Sequence, residues 1–354
     1  MKFKLPERYQ PTDESYEGGQ GIVCVYHDRD LDRKVAVKFL KSNVDESVLL
    51  QEMASLRSIR SKHIGQIYDL NFHNGTKRAA LIQEYVPGED LWAILAGEQI
   101  STGEQLKILF QIASGIADIH AAGKIHRDIK PNNIKRDSEG ILKLLDFGLA
   151  CDAKPDLVTA HARGTTAFRA PEMYAPLPVN ISMAIDTYAF GITAVCVFNS
   201  GNIPNNLMLG PPSLPAPTFS TFCTDLHPEL VALLDATLAT LPRDRPPMSR
   251  IRDRLAAQLL WGQHRALVTL DGGQKQSVLY KPNQAIRLTA GDKFVEIMYD
   301  GLTFRVQRIS DGVLINNVAL QTGAIMPGSC VIGLQTGASR TFYLFDVSHP
   351  EVVL

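Results

Sequence analysis

The chain has no long apolar run, no paired cysteines and no excess of either charge. A membrane helix needs roughly 18 or more apolar residues in succession, and nothing in the sequence reaches that length. The best candidate, AIDTYAFGITAVCVF at 184–198, opens next to an aspartate and is followed by Asn-Ser-Gly-Asn, so it reads as a buried helix of a globular domain. The opening MKFKLPERYQ is too polar for a secretory signal. The 5 cysteines, at 24, 151, 196, 223 and 330, are odd in number and widely spaced. With no CxxC pair and no Cys/His cluster, a zinc ribbon and a disulfide framework are both excluded, and free thiols in a reducing compartment are expected. The 36 basic and 37 acidic side chains leave a net charge of -1, which gives no electrostatic reason for nucleic acid or an anionic membrane as a partner. These features together lead us to expect a cytoplasmic protein, with export by a route lacking a cleavable signal left open.

What is present is enough apolar material, 45% of 354 residues, for two packed domains. Residues 16–86 alternate β-rich runs with turns: GIVCVYHD (21–28), KVAVKFL (34–40) and AALIQEYV (79–86) read as strands, and ESVLLQEMASLRSI (46–59) as a helix. From 101 the pattern turns helical, first in STGEQLKILFQIASGIADIHAAG, with a Ser-Thr cap signal and Gly123 as its stop, then at 181–199, 228–239 and 248–261. Near 262–266 helical periodicity ends. Short runs then recur between DGG, AGD, YDG and SDG turns, and KFVEIMY-DG-LTFRVQRI reads as a hairpin. A small all-β sandwich is expected there.

Chemistry concentrates in KIHRDIKPNNI (124–134) and LLDFGLA (144–150). Asp128, Lys130, Asn133 and Asp146, in that order, suit phosphoryl transfer: one carboxylate orients the accepting hydroxyl, a lysine offsets the moving charge, and an amide and a second carboxylate hold Mg2+.

Across about residues 14–260 the chain resembles the eukaryotic-like, bacterial-type Ser/Thr protein kinases. VAVK ends at Lys38, HRDIKPNN matches the catalytic loop, DFG the metal aspartate and APE (170–172) the end of the activation segment. The resemblance implies an α+β bilobal protein-kinase fold, with a β-rich N-lobe at about 14–86 and a helical C-lobe at about 87–261, preceded by an N-terminal extension at 1–13. It implies ATP and Mg2+ as cofactors, with Mn2+ as a substitute for Mg2+, and protein substrates. Lys38 would grip the phosphates with Glu52 as its partner, and Asp128 and Lys130 would serve transfer. Asn133 and Asp146 would hold the metal. Gly18, Gly19 and Gly21 would form the phosphate loop, Val23 and Ala36 would pack on the base, and the backbone of Glu84 and Val86 would meet its edge. Gln83 stands at the family's gatekeeper position, and Arg245 is expected to pair with Glu172. In EGGQGIV the first glycine of the family's loop is replaced by Tyr16, which puts a ring at the entrance to the base site. Arg127 and the activation-segment threonines Thr159, Thr165 and Thr166 are regulatory candidates, with autophosphorylation expected. A nucleotide-binding scaffold and a small-molecule phosphotransferase are the alternatives.

Residues 266–354 resemble the second half of a forkhead-associated domain, through the Asn316–Asn317 turn, PGSCVIGL and TFYLFDV. This implies an interaction module for phosphothreonine or another protein partner. The family's Gly-Arg turn and Ser-x-x-His loop are missing, and Arg287, Arg305 and Arg308 are the candidate replacements.

Overall fold

A computed structural model describes residues 5–351 except 18–20, 41–49, 51, 55–56, 58, 73–78, 98, 154–157, 160–165, 177, 209–217, 262, 271–275, 280 and 302. The chain divides into two compact units, Met1–Asp253 and Arg254–Leu354.

The first unit opens with an antiparallel five-stranded sheet in the order β1-β2-β3-β5-β4, formed by Tyr9–Glu17, Gly21–Asp28, Arg33–Leu40, Ala79–Glu84 (β5) and Ile67–Phe72 (β4). Alternation along β3 sets its two faces. Val35 and Val37 join Tyr9, Ala80 and Ile82 in a buried cluster, whereas Ala36 and Lys38 point the other way, into a cleft. Two strands differ from expectation. β1 begins at Tyr9, and Tyr9, Gln10 and Pro11 pair with Asp28, His27 and Tyr26 of β2, inside the stretch expected as an extension. Tyr9 is buried in the sheet's core, and a register shift between Pro11 and Ser15 hides the strand's period. β4 has no fully buried residue and exposes Asp69 and Phe72, so it lacks an in-out alternation that a sequence pattern can reveal. Most of the helix expected at 46–59 lies outside the described residues; of those described, 50, 52–54 and 57 are helical.

Helices follow. α1 is Leu91–Gly97 and α2 is Thr102–Ala121. Ser101 caps α2 by accepting the Glu104 N–H at 3.3 Å, and Gly123, at φ +70°, ends it in the left-handed region that glycine adopts without penalty. α3, Ala184–Phe198, is buried along nearly its whole length. Among the described residues no helix is long and apolar enough to cross a membrane. α4 (Asn205–Met208), α5 (Pro228–Thr237) and α6 (Met248–Leu260) complete the helical part. The expected pair forms: Arg245 Nη1 and Nη2 donate to the two oxygens of Glu172 at 2.8 and 2.7 Å. The same guanidinium donates to the carbonyls of Ala239 and Ala184. It thereby ties the short 3-10 turn Pro171–Tyr174 to the end of α5 and the start of α3.

The second unit is built of strands. Five form one antiparallel sheet, with Ala266–Leu270, Gln276–Leu279, Val313–Ile315, Ser329–Thr336 and Ser339–Val347. Three form another, Ala285–Ala290, Lys293–Tyr299 and Phe304–Ile309. One core takes inward residues from both, among them Val268, Ile332 and Phe345 from the first and Val295, Ile297 and Phe304 from the second. The hairpin at 293–309 is present, with a longer turn than the Asp-Gly pair suggests. Tyr299 is paired with Phe304, two residues later than a two-residue loop would allow, and the Asp300 carboxylate accepts the Thr303 N–H at 2.7 Å.

Candidate functional site

The cleft of the first unit is a cavity of about 590 Å³. The sheet lines it with Gly21, Val23, Val25, Ala36 and Lys38, and the opposite wall is formed by Asn133, Leu145 and Asp146. Period-two alternation explains the sheet's share: positions 21, 23 and 25 of β2 and 36 and 38 of β3 face one side.

At the inner end, Lys38 is 5% exposed. Its Nζ donates to Glu52 Oε2 at 2.8 Å and to Asp146 Oδ1 at 2.7 Å. Burial disfavours the Lys38 charge, but the two carboxylates outweigh it and hold the ammonium above its ordinary pKa. Glu52 is fully buried, and its second oxygen accepts the Phe147 N–H at 3.2 Å. Burial pushes its carboxyl above the usual range against the pull of Lys38. For Asp146 burial also pushes upward, but Lys38 and the Gly148 N–H win and hold it below the usual range. The outcome is one cation shared by two acids of unlike tendency.

Across the cleft, Lys130 Nζ donates to Asp128 Oδ2 at 2.8 Å. Asn133 Nδ2 donates to the same oxygen at 3.0 Å and to the Asp128 carbonyl at 2.8 Å. Pro131, at the first position of the 3-10 turn Pro131–Asn133, bends the chain so that Asn133 returns to Asp128. The loop is held from beneath by Asp186, fully buried near the start of α3. Asp186 accepts the backbone N–H groups of His126 and Arg127, both at 2.8 Å, and faces His120 Nε2 at 3.0 Å. Burial raises its pKa, but these bonds and the neighbouring histidines outweigh it and hold the carboxyl below its usual range. Arg127 takes φ +71°, a left-handed conformation costly for any residue with a Cβ and sustained here by the Asp186 bond. His126 is wholly buried, its ring centroid 4.5 Å from that of Phe147 and its Nε2 3.2 Å from the Leu145 carbonyl, and burial lowers its pKa.

At the outer end, Glu84 N–H donates to the Gln66 carbonyl at 2.7 Å, and its carboxylate takes Lys143 Nζ at 2.9 Å. Gln83, Glu84 and Val86 line the cavity, and the Val86 N–H makes no hydrogen bond among the described residues. Sequence reasoning missed Tyr85, Asp90 and Lys135, which line the same cavity, because none belongs to a motif. Gly18, Gly19 and Thr165 lie outside the described residues. Thr159 ends a two-residue strand, Val158–Thr159, paired with Val179–Asn180. Thr166 is exposed at the start of the turn Thr166–Phe168. Arg127 keeps one buried guanidinium nitrogen without a partner among the described residues.

Comparison with known proteins gives the geometry a family. A family model described as the protein kinase domain matches residues 16–253. The chain is 31% identical over 274 residues to the probable serine/threonine-protein kinase pknA2 of Bifidobacterium longum, covering 71% of this chain and 35% of that protein. It is 30% identical over 280 residues to serine/threonine-protein kinase pkn2 of Myxococcus xanthus, covering 72% and 32%. With serine/threonine-protein kinase PknA of Mycobacterium tuberculosis it shares 32% identity over 263 residues, covering 68% and 58%. The chain thus spans about a third to somewhat over half of the length of these relatives. The matched segment takes in the sheet, the cleft and both acidic clusters, and the chain belongs to the protein kinase family.

Proposed function

We propose that this chain is a Ser/Thr protein kinase that transfers the γ-phosphoryl group of Mg·ATP to protein hydroxyls. The observation that carries the reading is the bridge from Lys38 to both Glu52 and Asp146 in the cleft that also holds the Asp128–Lys130–Asn133 cluster. The donor set fits Mg2+, which prefers hard oxygens and is usually held by one or two carboxylates together with substrate phosphates. Asp146 offers a carboxylate kept ionised beside Lys38, and Asn133 commits its amide nitrogen to Asp128, which leaves its amide oxygen for a cation. An ion held by Asp146 and Asn133 would offset phosphate charge.

The protein's own groups do the rest. Asp128 orients the substrate hydroxyl and accepts its proton late, because a loose transition state asks for alignment more than for a strong base. Lys130, already on the Asp128 carboxylate, neutralises the group in transit. Lys38, fixed by Glu52, grips the phosphates, and Gly18, Gly19 and Gly21 bring backbone N–H groups to them. Val23 and Ala36 pack on the base, and the Glu84 carbonyl and Val86 N–H meet its edge. Lys130 in DIKP favours the Ser/Thr over the Tyr branch of the family.

Phosphate incorporation from radiolabelled ATP into the chain and into generic protein substrates tests the assignment. We expect loss of about 10²-fold or more in Asp128→Ala and Asp146→Ala, and incorporation surviving both substitutions would sink it. Autophosphorylation is part of the reading, with Thr159, Thr165 or Thr166 as acceptors and Arg127, with its partnerless buried nitrogen, as the group that receives the phosphate. An intact mass that gains no phosphate after incubation with Mg·ATP counts against that part. Residues 266–354, within the second unit, are proposed as a β-sandwich interaction module of forkhead-associated type that binds a protein partner. Of the candidate phosphate-binding arginines, Arg287 stacks 4.0 Å from the Phe294 centroid and Arg305 is tied to Asp300 at 3.0 Å. Arg308 is exposed and is the remaining candidate for phosphothreonine.

A further inference from the structure

The outer face of the larger sheet in the second unit carries apolar side chains where outward strand positions are ordinarily polar. The strand Ser339–Val347 is the third of five in that sheet, flanked by Ala266–Leu270 and Ser329–Thr336. Its Phe345 belongs to the core, with Tyr343 and Val347 packed against it, so alternation turns Arg340, Phe342, Leu344 and Asp346 outward. Val331 lies beside Leu344 on the same face, and Leu267 and Val278, a cross-strand pair, extend it toward the sheet's edge. Val278, Val331, Phe342 and Leu344 are 39–48% exposed, and apolar side chains gathered on a solvent face mark an interaction site. The charges of the central strand stand at its two ends. Arg340 donates to the Gln335 amide oxygen at 3.3 Å, and neither Arg340 nor Asp346 forms an ion pair among the described residues.

We propose that this face joins two copies of the chain, sheet against sheet, about a two-fold axis level with Tyr343. The axis lies in the interface, at right angles to Ser339–Val347. What selects a second copy is the order of side chains along the central strand: cation, aromatic, aliphatic, anion. Under that symmetry the two central strands run antiparallel across the interface. Arg340 then meets the partner's Asp346, Phe342 meets the partner's Leu344, and each contact occurs twice. The neighbouring strand obeys the same rule. Ile332 is in register with Tyr343, so Ser329 faces the partner's Gln335 and Val331 faces the partner's Gly333. Phe342 leans over Gly333 in its own chain, where a Cβ would stand 3.4 Å from the ring, so Val331 lands on an aromatic surface. Apolar groups thus meet apolar ones, polar meets polar, and each charge meets its opposite. An axis parallel to the strands would instead set Arg340 against the partner's Arg340, which like charges oppose. The interface uses only the second unit and holds whether or not the cleft binds a nucleotide.

Sedimentation equilibrium of the full chain tests this. The wild type is expected to dimerise, and Leu344→Glu, at a half-exposed position outside the core, to stay monomeric at concentrations where the wild type does not. Arg340→Glu and Asp346→Arg should each weaken the dimer by about tenfold or more, because the symmetry removes two ion pairs and creates two like-charge contacts at once. Mixed in equal amounts, these two variants should associate with each other about as tightly as the wild type, since every cation again meets an anion. A merely structural role for either residue gives no such rescue. A wild-type chain that sediments as a monomer assigns the face to a different protein and overturns the proposal. A dimer that Leu344→Glu leaves intact overturns it as well. A mixture of the two charge variants that stays as weak as either alone overturns the two-fold arrangement.

Discussion

Replacing Lys38 by methionine is expected to lower phosphoryl transfer by about 10²–10³-fold, the scale of losing one preorganised charge contact, and also to destabilise the first unit. The second effect follows from burial. Lys38 is the cation for both Glu52 and Asp146, at 2.8 and 2.7 Å, and Glu52 is 0% exposed. Removing one partner of a buried pair leaves the other's charge uncompensated, with losses of about 3–5 kcal/mol. Proton uptake by Glu52 limits that loss, which gives the effect a pH signature. The Glu52 pKa is already raised in the folded state by burial, and without Lys38 the upward push has no opponent. A group with a raised folded pKa supports stability below its unfolded value and loses that support as pH rises through the folded value. Lys38→Met should therefore approach wild-type stability below about pH 4.3, the ordinary glutamate value, and fall furthest behind at neutral pH and above. The double variant Lys38→Met with Glu52→Gln should recover much of the stability and none of the activity. Urea unfolding across pH, alongside initial rates with ATP, reads both. Equal stability of Lys38→Met and wild type at pH 8 would remove the argument from burial.

The second large effect is expected from a residue that touches no substrate. Asp186→Ala should destabilise the first unit by about 3 kcal/mol or more, because it leaves the His126 and Arg127 N–H groups buried without acceptors at about 1–3 kcal/mol each. The left-handed Arg127 also loses what holds it at φ +71°. As Arg127 adjoins Asp128, the loop relaxes and kcat falls, whereas the Lys38 end of the cleft is untouched and the KM for ATP should hold. Asp186→Asn keeps an acceptor and should show a smaller loss on both counts. The pH sign is opposite to that of Glu52. Asp186 has a lowered folded pKa, so its contribution is present above the ordinary aspartate value and is lost as pH falls through the folded one. The Asn variant should accordingly show a flatter acid limb. Hydrogen exchange at the His126 and Arg127 amides, combined with steady-state kinetics, checks the prediction. A variant with wild-type protection at both amides, or with KM for ATP raised and kcat unchanged, would contradict it.

How much of this was legible in advance varies by element. GIVCVYHD matches β2 residue for residue, since a run rich in β-branched and aromatic residues stands between turn signals. The helix 101–123 was equally plain because a cap, an amphipathic run and a glycine stop coincide. β4 and the start of β1 were not, since one lacks alternation and the other carries a register shift. Helix ends differ by one to three residues, as at 181 against 184 in α3, whose start at Ala184 has no side-chain cap for the sequence to signal.

The site divides in the same way. Local sequence names Asp128, Lys130, Asn133 and Asp146 by their order in two short motifs, and the resemblance to protein kinases adds Lys38. It also suffices to place a ring at Tyr16 where a glycine is usual. Only the tertiary structure brings Lys38 to Asp146 from 108 residues away. It also sets Asp186 beneath Arg127 and puts Lys135 opposite Tyr16. Those are through-space contacts between elements whose sequences carry no trace of one another: a lysine on a half-exposed strand reads as a solvated charge until the facing wall is known. The residue types determined which chemistry was available, and packing decided which charges share a partner.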